Sequence, residues 1–134
     1  MNTAEAPVEP VVMDASTLVE LLIGGEATNA AKQRLSSTVL HAPAHLDAEV
    51  LSALGRLCRG GSLDPADVTA ALDRVAALPV TRHPLTGLLS GAWHRRGDLR
   101  LVDALYVELA AQLHTRVITM DGKLARTSDL AEVL

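Results

Sequence analysis

Four acidic residues each stand at the end of an apolar run or beside one, where a charge is least expected. They are Asp14 in Val11-Val12-Met13-Asp14-Ala15-Ser16, Glu49 in Leu46-Asp47-Ala48-Glu49-Val50-Leu51, Asp103 in Leu101-Val102-Asp103-Ala104-Leu105, and Asp121 in Val117-Ile118-Thr119-Met120-Asp121. A carboxylate at the edge of a core is costly to desolvate, so it is ordinarily paired or protonated. Four that converge repel one another, and a divalent cation is the simplest means of holding them together ionised at neutral pH. A metal-dependent enzyme is therefore the leading expectation.

Each acid also has a purely structural explanation. Asp14, at the end of a strand and before Ala15-Ser16, suits a helix N-cap. Asp103 opens an apolar helix, where free N–H groups favour an ionised carboxylate whether or not it binds anything. Asp121-Gly122 is a turn signal. Asp47 and Glu49 fall on opposite flanks of one amphipathic helix, and periodicity alone does not choose between them. The functional weight of these residues lies in their company.

Other chemistries find less support. The five histidines, His41, His45, His83, His94 and His114, include no His-Glu-x-x-His zinc spacing. The single cysteine, Cys58, lies in an apolar context and reads as a small hydrophobe. Gly24-Gly25 and Gly60-Gly61 follow helices and do not make a phosphate-binding loop, and no nucleophile elbow is present.

The elements that must position these acids alternate along the chain. Short apolar or β-branched runs at 10–14, 38–42, 79–82 and 117–120 read as strands. Helices are expected over 15–23, 26–35, 46–59, 65 to about 78, 84–96 and 103–114, with a short helix and tail over 123–134. Asp64-Pro65 supplies an N-cap and a first-position proline, and Gly60-Gly61 a stop. Such alternation gives a three-layer α/β/α domain around a parallel sheet of four to five strands. Ligands of such sheets bind beyond the carboxyl ends of the strands, where strand order reverses. Asp14 and Asp121 meet there if the first and last strands are neighbours.

A length of 134 residues suits a single domain, 1–134, with 1–9 as a flexible N-terminal extension. No apolar run nears the roughly 20 residues that span a bilayer, and Met1–Pro10 lacks the pattern of a signal peptide, so a cytoplasmic protein with no membrane partner is expected. The net charge of -4 argues against a general nucleic-acid coat, and aromatic content of 1% argues against recognition by base stacking. Neither excludes an enzyme that cuts nucleic acid. A basic run, His94-Arg95-Arg96-Gly97-Asp98-Leu99-Arg100, directly precedes Asp103, and Arg95, Arg96 and Arg100 are candidate phosphate contacts or an ordinary solvated helix end.

Taken together, these segments resemble the PIN-domain family, and within it the VapC-type toxins of bacterial toxin–antitoxin pairs. The motifs are Val12-Met13-Asp14-Ala15-Ser16, then Ala42-Pro43-x-x-Leu46-Asp47-x-Glu49-Val50-x-x-Ala53-Leu54. They continue with Leu101-Val102-Asp103-Ala104-Leu105-Tyr106-Val107-x-Leu109-Ala110 and Val117-Ile118-Thr119-Met120-Asp121-x-Lys123-Leu124. The resemblance selects Glu49 over Asp47 as the second acid. It implies Mg2+- or Mn2+-dependent RNA cleavage, with Asp14, Asp103 and Asp121 as direct or water-mediated metal ligands and Glu49 binding a second ion or orienting the attacking water. Ser16 and Thr119 become accessory polar residues, one toward a metal-bound water and the other toward a carboxylate. A homodimer and an antitoxin that covers the pocket are also implied. Many relatives carry Asn, a hydroxyl residue and an aromatic just before the third acid, where this chain has Asp98, Arg100 and Val102. The departure bears on substrate choice and pocket polarity. Two alternatives are a PIN-like binding module without activity and a phospho-receiver domain; the latter needs an acidic pair at the first strand, where this chain has one Asp.

Overall fold

The computed structural model describes residues 8–134. Among these residues five strands, β1 (Glu9–Met13), β2 (Thr38–Pro43), β3 (Val80–His83), β4 (Val117–Thr119) and β5 (Ala131–Val133), form one parallel sheet in the order β3-β2-β1-β4-β5. The order runs outward from β1 to β3, then reverses to the other side of β1 for β4 and β5. The switch therefore falls between β1 and β4, the two strands that end in Asp14 and Thr119-Met120-Asp121.

Among the described residues seven α-helices cover the sheet: α1 (Ala15–Ile23), α2 (Thr28–Leu35), α3 (Leu46–Arg59), α4 (Pro65–Ala77), α5 (Leu89–His94), α6 (Leu101–Gln112) and α7 (Gly122–Thr127). Helices α1 to α4 pack on one another, while α5 packs on α6, which lies across β1 and β2. Central strands are buried on both faces, so they read as unbroken apolar runs: Val11, Val12, Met13, Val117 and Ile118 have no exposure. Helix α6 adds Ala104, Leu105, Tyr106, Val107, Leu109 and Ala110 to the core.

Local chemistry sets the element ends. Gly24 closes α1 in the left-handed region at φ 70°, which a side chain would disfavour. Asp64 and Asp67 make a reciprocal capping box around Pro65 at the start of α4.

The structure departs from the sequence expectations in three places. The expected helix over 84–96 is a 3-10 turn at Leu85–Leu88 followed by the six-residue α5. Gly87 and Gly91 lower helix propensity there, and a side chain at Gly91 would collide with the Glu108 carboxylate of α6. Helix α6 begins two residues early, leaving Leu101 and Val102 partly exposed in its first turn. The tail contains β5, only three residues and too short for a periodic signal. The proposed extension 1–9 falls mostly outside the described residues, and Glu9 already belongs to β1. No described helix is long and apolar enough to cross a membrane.

Candidate metal-binding and nuclease site

A cavity of about 400 Å³ opens at the carboxyl ends of β1 and β4, and Asp14, Glu49, Asp103 and Asp121 all line it. Ser16, Ser52, Arg56, Arg100 and Tyr106 share the wall. A second cavity of about 370 Å³ adjoins it, sharing Arg100, Asp103 and Asp121 and adding Asp98, Lys123 and Thr127. Four elements deliver the acids: Asp14 caps α1 after β1, Glu49 lies in the first turn of α3, Asp103 in the first turn of α6, and Asp121 caps α7 after β4. The N-cap explanation for Asp14 is thus correct, Asp121, expected in a turn, caps α7, and the same geometry places both at the cavity.

Asp14 is the most enclosed of the four, with 7% of its surface exposed. Its Oδ1 accepts from the Ser16 hydroxyl (2.7 Å) and the Thr17 N–H (3.1 Å), and its Oδ2 accepts from the Thr119 hydroxyl. Burial pushes its carboxyl above the ordinary Asp range, and these hydrogen bonds pull back toward the ionised form. Ser16 and Thr119 therefore both orient Asp14. Each also takes a backbone N–H beyond β4, from Met120 and Asp121 respectively, which locks the two strand ends together. Thr17 completes the lock by donating to the Ile118 carbonyl at 2.9 Å.

Glu49 is gripped on one oxygen. The Tyr106 hydroxyl donates to its Oε1 at 2.6 Å, and His45 Nε2 stands 3.4 Å from the same atom. Burial first, and then the Glu49 carboxylate, hold the Tyr106 phenol far above its usual pKa, so it remains a donor. The His45 ring stacks on Tyr106 at 4.7 Å and reaches the Val102 carbonyl at 3.1 Å. Sequence reasoning assigned no role to Tyr106 or His45. A buried Tyr on an apolar helix face carries no periodic mark of a polar task, although Tyr106 lies in the motif that contains Asp103. Asp47 points elsewhere: its Oδ2 accepts from Arg82 Nε of β3 at 2.8 Å.

Asp121 Oδ1 accepts from the N–H groups of Lys123 and Leu124. Asp103 is bound on both oxygens by Arg100, whose Nε lies 3.0 Å from Oδ2 and Nη2 3.4 Å from Oδ1. Arg100 is thereby held even more firmly protonated, chiefly by Asp103.

Of the three arginines of the basic run, only Arg100 lines these cavities. Arg95 pairs with Glu108 of α6 at 3.2 Å, and Arg96 lies over the exposed Trp93 ring at 4.5 Å. Arg56 instead lines the first cavity from α3, donating to Ser52 at 2.7 Å, with no acidic partner among the described residues. Of the departures before the third acid, Asp98 and Arg100 line the second cavity, and Val102 offers only its carbonyl, to His45.

The donor set fits a hard cation. It is all oxygen, and Glu49 Oε2 and Asp121 Oδ2 accept from no protein donor among the described residues. No three His, Cys, Asp or Glu side chains among the described residues come close enough to enclose an ion unaided. Magnesium tolerates this, because it keeps several waters and uses few protein carboxylates.

Fold and site together define the class: the chain belongs to the PIN-domain family, whose model matches residues 11–130. It is 54% identical over 122 residues to ribonuclease VapC3 of Mycobacterium tuberculosis, covering 90% of this chain and 89% of that protein. Among solved structures it is similar to M. tuberculosis VapC20, a sarcin–ricin-loop-cleaving toxin, with TM-score 0.68, 19% identity, and coverage of 87% and 93%. A toxin–antitoxin complex from Klebsiella pneumoniae matches with TM-score 0.67 at 16% identity, covering 92% and 96%.

Proposed function

We infer that this protein is a divalent-metal-dependent endoribonuclease acting as the toxin of a toxin–antitoxin pair. One observation carries the reading: four carboxylates from four separate elements line a single cavity at the switch point of the sheet. Similarity to VapC3 over nine-tenths of the chain supports the substrate class. Purified protein is expected to cleave RNA with Mg2+ or Mn2+ and to lose that activity in EDTA. Metal-independent cleavage, or none with either ion, overturns the reading.

Asp14, Asp103 and Asp121 would hold the metal, and Glu49 would hold a second ion or the attacking water. Bound there, a divalent ion supplies a more acidic water and screens the phosphate charge. Ser16 and Thr119 fix the Asp14 carboxylate so that it need not reorganise. Tyr106 fixes Glu49 Oε1, which leaves Oε2 to accept a hydrogen bond or a proton from the water. Arg56, unpaired with any described acid, is placed to meet an RNA phosphate.

Two predictions test these roles. Tyr106→Phe keeps the ring in its buried slot and removes only the donor to Glu49. The cleavage rate constant is expected to fall about ten- to hundredfold, as for loss of a partner that orients a ligand, with KM and melting temperature near the parent's. A fall in stability that accounts for the whole activity loss would reduce Tyr106 to packing. In a cleavage-dead Asp14→Asn background, Arg56→Ala is expected to weaken RNA binding and flatten its salt dependence by about 0.7 of a logarithmic unit, whereas Arg95→Ala and Arg96→Ala change neither. Filter binding at several salt concentrations reads the slopes.

An antitoxin partner is part of the same proposal, supported by the similarity to a toxin–antitoxin complex. A homodimer is proposed alongside it. Leu89 and Trp93 of α5, 54% and 55% exposed, are apolar area that a second copy can cover. Sedimentation of the isolated chain at twice the monomer mass supports the dimer, and a monomer removes it.

A further inference from the structure

Asp103 is the one site acid whose two oxygens both meet a charged partner, and that partner is itself on the cavity wall. Asp14 is held by hydroxyls and a backbone N–H, and Asp121 by backbone N–H groups alone. Glu49 is held by the Tyr106 phenol, with the His45 ring beside it. Arg100 lines both cavities, and its side chain is 76% exposed while that of Asp103 is 22% exposed. The guanidinium thus reaches in from solvent to sit on the acid, at the seam between the two cavities.

We propose that Arg100 is the resident counter-ion of this site: it neutralises Asp103 while no divalent ion is bound, and moves off it toward an RNA phosphate when one binds. The inference rests on the metal-dependent reading above. An ion pair this exposed is weak and screened by salt. A divalent ion brings twice the charge to a carboxylate oxygen at about 2.1 Å, against 3.0 Å for Arg100 Nε, so it wins the contact. Both oxygens of Asp103 face the guanidinium, so a cation that uses this acid meets a like charge beside it and drives it off. The freed fork matches phosphate as well as it matches carboxylate. Arg100 therefore lowers the apparent metal affinity and couples metal loading to substrate contact.

The test is calorimetric titration of Mn2+ into RNA-free protein for the parent, Arg100→Gln, Arg100→Lys and Arg56→Gln. Arg56 lines the same cavity without touching an acid, so its variant measures the general field of a removed cation. Arg100→Gln is expected to bind manganese about two- to fivefold more tightly than the parent, since the weak pair no longer competes. Arg100→Lys should fall between them, and Arg56→Gln should gain clearly less than Arg100→Gln. Equal gains for Arg100→Gln and Arg56→Gln, or no gain for Arg100→Gln, overturn the inference while leaving the metal site standing. Absence of manganese binding by the folded parent overturns the metal-dependent reading itself, and this inference with it.

Discussion

Asp14→Asn is expected to lower metal-dependent RNA cleavage by at least about a hundredfold, comparable to removing one preorganised charge-stabilising group, and to melt higher than the parent when metal is absent. Both effects come from the same enclosure. Asp14 is nearly buried, and desolvation raises its carboxyl pKa above the unfolded value. Between those two pKa values the native state binds more protons than the unfolded chain, so stability falls as pH rises through that window and stays reduced above it. Wherever Asp14 ionises, the metal-free protein carries a poorly solvated carboxylate. Asparagine removes the charge, keeps an oxygen for the Thr17 N–H and the Ser16 hydroxyl, and removes the reason for a cation. Calorimetric melting of both proteins across acid to neutral pH, with and without Mn2+, checks this. The parent should gain stability as pH falls toward the raised Asp14 pKa and should gain melting temperature with manganese. The variant should show neither trend. A manganese-induced shift of equal size in the two proteins would remove Asp14 from the metal site.

The sequence made the strands and the chemistry of their ends readable for the same physical reason. Strands buried on both faces must be apolar throughout, so an acid at the end of Val11-Val12-Met13 or Val117-Ile118-Thr119 marks where the chain leaves the core. Helix α3 matched residue for residue because its apolar face is regular and Gly60 stops it. Tertiary contacts decided the remainder. Gly91 inside α5 lies so close to Glu108 of α6 that a side chain there would meet its carboxylate, and β5 forms because β4 offers an open edge, not because Ala131–Val133 has strong propensity.

The same divide runs through the site. The four acids were legible because their surroundings are apolar, but their supports were not. Tyr106 looks like core, His45 like a polar residue before a helix, and Arg56 like a surface cation. The basic run left two readings open for a related reason: adjacency in sequence does not fix direction, and in the structure Arg95 turns toward Glu108 while Arg96 stacks on Trp93. Only Arg100, three residues before Asp103 and at the cap of α6, stays with the acid.

Inducing the Glu49→Gln variant in a bacterial host should leave growth nearly unimpaired, whereas the parent and Asp47→Asn should arrest it. The two acids lie two residues apart in the first turn of α3, so helix-dipole and capping effects on them are similar. What separates them is direction. Glu49 lines the cavity and offers it a carboxylate oxygen, while Asp47 turns to Arg82 on β3. Gln at 49 keeps an oxygen for the Tyr106 hydroxyl and preserves the fold. It cannot accept a proton or add charge for a cation, so cleavage should drop by about a hundred- to a thousandfold, in the range for loss of a positioned acid–base group. Asn at 47 weakens one part-exposed pair with Arg82, a modest stability loss of at most about 1 kcal/mol that leaves the cavity intact. Expression levels from immunoblots and melting temperatures of the purified variants keep instability from passing as lost toxicity. A Glu49→Gln chain that still arrests growth, beside a harmless Asp47→Asn chain of equal abundance, would move the working acid of α3 to Asp47 and the reaction away from this cavity.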